Sequence, residues 1–267
     1  MTALAASYDV TLNRRVVDLT GLNASTDSVT VERSVAPNVQ WAPVRGWSAQ
    51  NVSGAAVSYY DYEFPEGVAY KYRVREFDAA GAQLASTDFS VTAVSFDQVW
   101  LKIPAAPFLN RPVVVVDRGE IGNRSRSGLF DIVGRTDPVQ VGSVRASAAY
   151  TLQLLTETAA EERDMEYTLS TGDVVFLHLP AAVEVIPGGY FSVGDVSRQS
   201  TLRLSPRRVW SLPLQHTAAP GPDVIGSAYT WNSVLADYAT WTDLLADNAT
   251  WGDLLERTGS PSEVIVP

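Results

Sequence analysis

The chain has 267 residues, no cysteine, two histidines and a formal net charge of −10. Disulfides and thiolate zinc sites are therefore excluded, and the acidic balance argues against nucleic acid as a partner, which calls for a basic face. Apolar residues make up 46% and aromatic residues 10%, which suits packed cores, over a length that fits one large domain or two ordinary ones.

Only Lys71 and Lys102 are lysines, so the positive charge is almost all arginine, which favours bidentate contacts. The same bias is what a GC-rich genome gives. The N-terminal residues lack a basic stretch followed by an apolar one, so no signal peptide is expected. The longest notable apolar run is 113–116, far short of a membrane span. The expectation is a soluble protein made in a cytoplasm, with no membrane insertion.

Residues 1–103 carry short alternating segments at 8–12, 28–33, 55–60 and 69–75. Turn residues separate them: Pro37-Asn38, Pro65-Glu66-Gly67 and Asp78-Ala79-Ala80-Gly81. Period-two alternation between such turns predicts a β-sandwich. The stretch 64–74 resembles the E–F corner of fibronectin type III domains, where an apolar residue, a glycine and a tyrosine open strand F. The resemblance implies that Tyr70 is the corner tyrosine, its hydroxyl tied to nearby backbone.

Residues 103–112 hold three prolines and read as an extended linker. The second domain, 104–219, is predicted to be α+β and split-barrel-like. Its strand candidates are 113–116 (buried), 129–133, 147–156, 174–179, 190–197 and 207–214. A glycine- and arginine-rich loop at 117–128 carries Arg124 and Arg126, which read equally as interface contacts or as solvated side chains. Thr158 and Glu161 form a capping box that opens a helix from Ala159 to about Ser170, stopped by Gly172.

Residues 220–267 form a C-terminal tail with three decapeptide repeats. Trp231, Trp241 and Trp251 fall ten residues apart, each preceded by threonine. Apolar pairs follow at the third and fourth positions: Val234-Leu235, Leu244-Leu245 and Leu254-Leu255. Thr240 and Asp243 have the form of a helix cap, and Thr250 and Asp253 repeat it. Three helical turns need about eleven residues, so the period predicts three short helices with breaks between them. Helices this short are marginal alone, so the tryptophans need a surface. Every charge between 228 and 256 is acidic. The tail is thus a candidate docking segment, with Trp231, Leu235, Trp241, Leu244, Leu245, Trp251, Leu254 and Leu255 as anchors, in cis on its own chain or in trans on a neighbour.

No chemistry stands out. His178 lies in a buried-strand pattern and reads as a core histidine; His216 lies in a linker. Neither metal nor cofactor is expected. No G-x-S-x-G elbow, P-loop, G-x-G-x-x-G or H-E-x-x-H occurs. The acidic group Glu157, Glu161, Glu162, Asp164 and Glu166 reads as a solvated helix face. Asp61 and Glu63 lie among tyrosines, a pattern that can bind sugars and that an ordinary strand face also gives. Trp41, Trp47, Tyr59, Tyr60 and Tyr62 are the candidate glycan-binding aromatics.

Residues 127–139, a strand at 150–156, then 172–180, 190–196 and 208–214 resemble, in that order, the minor tail proteins of long-tailed, non-contractile bacteriophages of actinobacteria. The Thr-Trp-x-Asp-Leu-Leu endings are similar too. The resemblance covers about 111–256 and implies a non-enzymatic virion protein of the tail tip or baseplate, located in the virion tail. Its implied partners are hub and distal tail proteins and neighbouring copies in a trimer or hexamer ring; it leaves open whether the subunit also touches a host cell-surface glycan. The alternatives are a carbohydrate-binding module contacting the host cell wall and a tail-associated glycan hydrolase.

Overall fold

Asp9 ends the first strand by capping a turn. Its carboxylate accepts the N–H groups of Thr11 (3.0 Å) and Leu12 (3.3 Å), and Asn13 follows at φ 44°. Of the predicted strand at 8–12, Tyr8 and Asp9 end β1 (Ala3–Asp9), and residues 10–12 are the reversal into β2 (Arg14–Thr20). This computed structural model describes residues 2–35, 40–52, 54–134, 136–142, 144–172, 174–201, 205–221, 238 and 240–247. They are mainly β, with seventeen strands and two α-helices. Two compact units result: residues 1–112, 178–185 and 220–267 in the first, 113–177 and 186–219 in the second.

In the first unit, β3 (Ser28–Val35), β4 (Ala42–Pro43), β5 (Gln50–Asn51), β6 (Ala56–Asp61), β7 (Tyr70–Phe77) and β8 (Gln83–Val91) follow. One antiparallel sheet runs β1-β2-β6; the other runs β4-β3-β7-β8, with β5 also on β3. Val17, Leu19 and Tyr59 from the first meet Val29, Val31, Tyr72 and Val74 from the second in one core. Alternation decides which residues go in, because successive strand side chains point to opposite faces. The Asp78–Gly81 turn forms as expected, with the Asp78 carboxylate accepting the N–H groups of Ala80 and Ala82.

The predicted linker is packed rather than free. After β9 (Val99–Lys102), Ile103 and Leu109 are buried, a 3-10 turn spans Pro107–Leu109, and the Asn110 side chain accepts the Ile103 N–H at 2.8 Å. Residues 178–185, assigned by sequence to the second domain, pack with the first unit.

The strands that build the second unit are β10 (Arg111–Arg118), β11 (Gly128–Phe130), β12 (Val139–Val141), β13 (Ala149–Thr156), β14 (Val175–His178), β15 (Gly189–Val193), β16 (Ser197–Ser200) and β17 (Arg208–His216). β13 pairs with β10 and β17, and β17 with β15 and β16. β10, β13, β17, β15 and β14 belong to a closed six-stranded barrel, where a split barrel was expected. Leu152, Leu154, Phe191, Trp210 and Leu212 fill its core. Val114 and Val116 are exposed, so the run 113–116 is not buried on both faces. α1 (Ala159–Ser170) forms at its predicted bounds, capped by the Thr158 hydroxyl, which accepts the Glu161 N–H at 3.2 Å. Glu161 in turn accepts the Glu157 N–H. The acidic face of α1 is ion-paired rather than merely solvated: Arg198 meets Glu162 and Glu166, and Arg208 meets Glu162.

Candidate interaction surface

The carboxylates among the tyrosines turn out to be fold-forming groups. Asp61 is buried, and its oxygens accept from Arg33 Nη1 at 2.6 and 2.5 Å, from Tyr72 Oη at 2.7 Å and from the Glu63 N–H at 2.9 Å. Burial opposes the charge on Arg33, but Asp61 more than offsets it and holds the guanidinium above its usual pKa. Burial, with the Asp61 charge, pushes the Tyr70 phenol up to about 12 and Tyr72 higher still. The Tyr70 hydroxyl lies 3.2 Å from that of Tyr72, so its partner is a side chain and not the backbone expected of a corner tyrosine. Glu63 is bridged by Arg45 at 2.9 Å.

The candidate glycan aromatics do not form one platform. Tyr59 is fully buried, its ring edge-on to Tyr72, and presents no face to a sugar. Trp47 leans on Tyr59 with ring centroids 5.0 Å apart. The Arg14 guanidinium covers Tyr60 at 3.8 Å and donates to Tyr62 Oη at 3.0 Å. Arg73 covers Trp41 at 3.9 Å. Sugar stacking needs an open ring face: Tyr59 has none, and a guanidinium covers one face each of Tyr60 and Trp41.

His178 is the core histidine that its strand pattern predicted. Burial and the nearby Lys102 charge hold it well below its usual pKa, so the ring is neutral. Phe64 and Phe96 flank it at 5.0 and 4.6 Å. Among the described residues, no cluster of His, Asp or Glu is placed to hold a metal ion. A groove of about 660 Å³ beside β13 is lined by Gly119, Glu120, Thr151, Pro213 and Gln215, without a histidine or lysine.

Exposed apolar surface is concentrated elsewhere, on a long β-arm that sequence reasoning divided between a loop and a strand. The hairpin of β10 and β13 continues outward. Gly122 bridges Ala149, the Ala146 N–H donates to the Arg124 carbonyl at 2.9 Å, and β11 pairs with β12. In that two-stranded ribbon Phe130 stands opposite Val139, and Gly128 opposite Val141. Leu129 is 70% exposed, Phe130 57% and Val133 at the tip fully so, while Val141 and Val144 are also open. A lone two-stranded ribbon is marginal in water, and contiguous exposed apolar surface of this kind marks an interaction site. Arg124 and Arg126 on the arm are exposed and make no ion pair with a described residue. The available signal in the sequence was Gly128-Leu129-Phe130-Asp131-Ile132-Val133, an apolar cluster without clean alternation.

The middle repeat is the one the structure describes in part. α2 (Trp241–Asp247) starts as predicted: the Thr240 hydroxyl accepts the Asp243 N–H at 3.3 Å, and the Asp243 carboxylate accepts the Thr240 N–H at 3.1 Å. Its three anchors part company. Leu244 is 4% exposed, whereas Trp241 is 59% and Leu245 65% exposed. The repeat therefore buries one leucine in its own chain and keeps two apolar side chains at the surface. Trp231, Leu235, Trp251, Leu254 and Leu255 lie outside the described residues.

The sequence matches no protein-family model and none of the curated proteins. No helix among the described residues is long and apolar enough to cross a membrane.

Proposed function

We propose that the chain is a structural building block of a phage tail tip or baseplate, a minor tail protein that works by assembling with other subunits. The observation that carries the reading is the pairing of two unusual surfaces in one chain: the apolar β-arm and the acidic, tryptophan-bearing tail. Both lie within the segment that resembles minor tail proteins, and both suit docking rather than turnover. Burying a tryptophan contributes about 2–3 kcal/mol, so anchors repeated in every copy hold an assembly without covalent links. The N-terminal sandwich is read as a fibronectin III-like peripheral module. The sheet order β1-β2-β6 against β4-β3-β7-β8 supports that assignment, while the Tyr70–Tyr72 hydroxyl contact departs from it.

The test is light-scattering mass on the purified chain and on a chain ending at Pro220. Loss of an oligomer on truncation supports a tail that clamps subunits. Equal monomers of equal thermal stability would remove self-assembly from the proposal.

A further inference from the structure

Resting on that assembly reading, we propose that the β-arm (residues 119–148) is the receptor for the C-terminal tail of a second copy of this chain, with Trp241 and Leu245 seated on Phe130, Val139 and Val141. Three observations converge. The arm shows apolar side chains to solvent on a ribbon that pairs with no further strand among the described residues. The tail helix is held by the burial of Leu244 and turns Trp241 and Leu245 outward. The charges are complementary. Residues 119–148 hold Arg124, Arg126, Arg135 and Arg145 against Glu120, Asp131 and Asp137. Residues 222–267 hold Asp223, Asp237, Asp243, Asp247, Asp253, Glu256 and Glu263 against Arg257 alone.

In a chain of net charge −10 most surfaces repel a second copy. The arm is a place where an acidic tail meets Arg124 and Arg126, which make no ion pair with a described residue, beside apolar side chains that match Trp241 and Leu245. Arginine forks pair readily with carboxylates, while the tryptophan supplies a large contact. Because arm and tail are different surfaces, the contact is either exchanged reciprocally in a twofold pair or repeated so that it closes a ring or extends a row.

The absence of cysteine makes the test clean. Two full-length single-cysteine chains, Gln140→Cys and Thr242→Cys, with the cysteines beside the anchors rather than in place of them, and a third chain carrying both are purified; the two single-cysteine chains are mixed, the doubly substituted chain is kept alone, and each sample is treated with a short bis-maleimide. A covalent heterodimer carrying one chain of each kind, weakened at high salt and absent when Arg124→Glu and Arg126→Glu are added, is the expected result. Crosslinking confined to monomers of the doubly substituted chain would place the tail on its own arm and overturn the proposal. Oligomers by light scattering that form no such crosslink, and that persist with Arg124→Glu and Arg126→Glu, would also overturn it while leaving the assembly reading intact. Monomers at every concentration would remove both. Both cysteine sites are exposed, and unchanged melting temperatures check that each chain is folded.

Discussion

Lys102 donates its ammonium hydrogens to the backbone carbonyls of Asn13 (2.7 Å) and Tyr62 (2.6 Å) and to Nδ1 of His178 (2.9 Å). Three donors meet three acceptors in a buried site, so the lysine ties three separate segments of the first unit together. Burial pulls its pKa down to about 7, although Asp61 and Glu63 act to raise it.

This pair sets a pH dependence of stability. The folded pKa of Lys102, about 7, lies below the ordinary 10.5. Between those values the unfolded chain binds more protons, so stability rises with pH across that window. His178 is shifted downward from 6.5 in the same sense, so stability falls further as pH drops below 6.5. Denaturant midpoints from mildly acidic to mildly alkaline buffer should climb. Lys102→Met should flatten the rise above neutrality and lower the midpoint, since orphaned buried acceptors cost about 1–3 kcal/mol. A midpoint independent of pH in the wild-type chain would refute the assignment.

Asp61→Asn should be among the most damaging single changes. It leaves the buried end of Arg33 without its counter-charge and weakens the Tyr72 bond. Removing one partner of a buried pair typically costs about 3–5 kcal/mol. Equilibrium unfolding of the two chains measures it directly. A loss under about 1 kcal/mol, the scale of a surface pair, would mean the site is wetter than described.

Neighbouring tyrosines should behave oppositely. Tyr59→Ala empties a core position and should cost about 3–5 kcal/mol, as large core truncations do. Tyr60→Ala removes a ring stacked under Arg14 at the surface and should cost only about 0.5–1 kcal/mol. Similar losses at both positions would contradict the assigned strand register.

Thr158→Ala should lower stability by about 1 kcal/mol through loss of the α1 cap. Arg198→Ala, which removes exposed, solvent-screened pairs to Glu162 and Glu166, should change it less than loss of that cap does. Thermal melts of both variants, compared side by side, rank the two effects; the reverse order would count against a cap that fixes the helix start.

Local chemistry was legible in the sequence because its partners are close along the chain. Thr158 reaches Glu161, Thr240 reaches Asp243 and Asp78 reaches Ala80, each within three residues, so spacing alone specifies the contact. Alternation likewise located most strands. Their facing was another matter. Tyr59 and Tyr60 are adjacent aromatics in one strand, and only the packing of two sheets sends one into the core and leaves the other under Arg14. Barrel closure decided that Val114 and Val116 point outward. The β-arm became visible only when Leu129 and Phe130 were seen without a covering layer. Lys102 finds its acceptors 89, 40 and 76 residues away. Contacts at that separation depend on how distant strands are brought together, which residue type and local period do not encode.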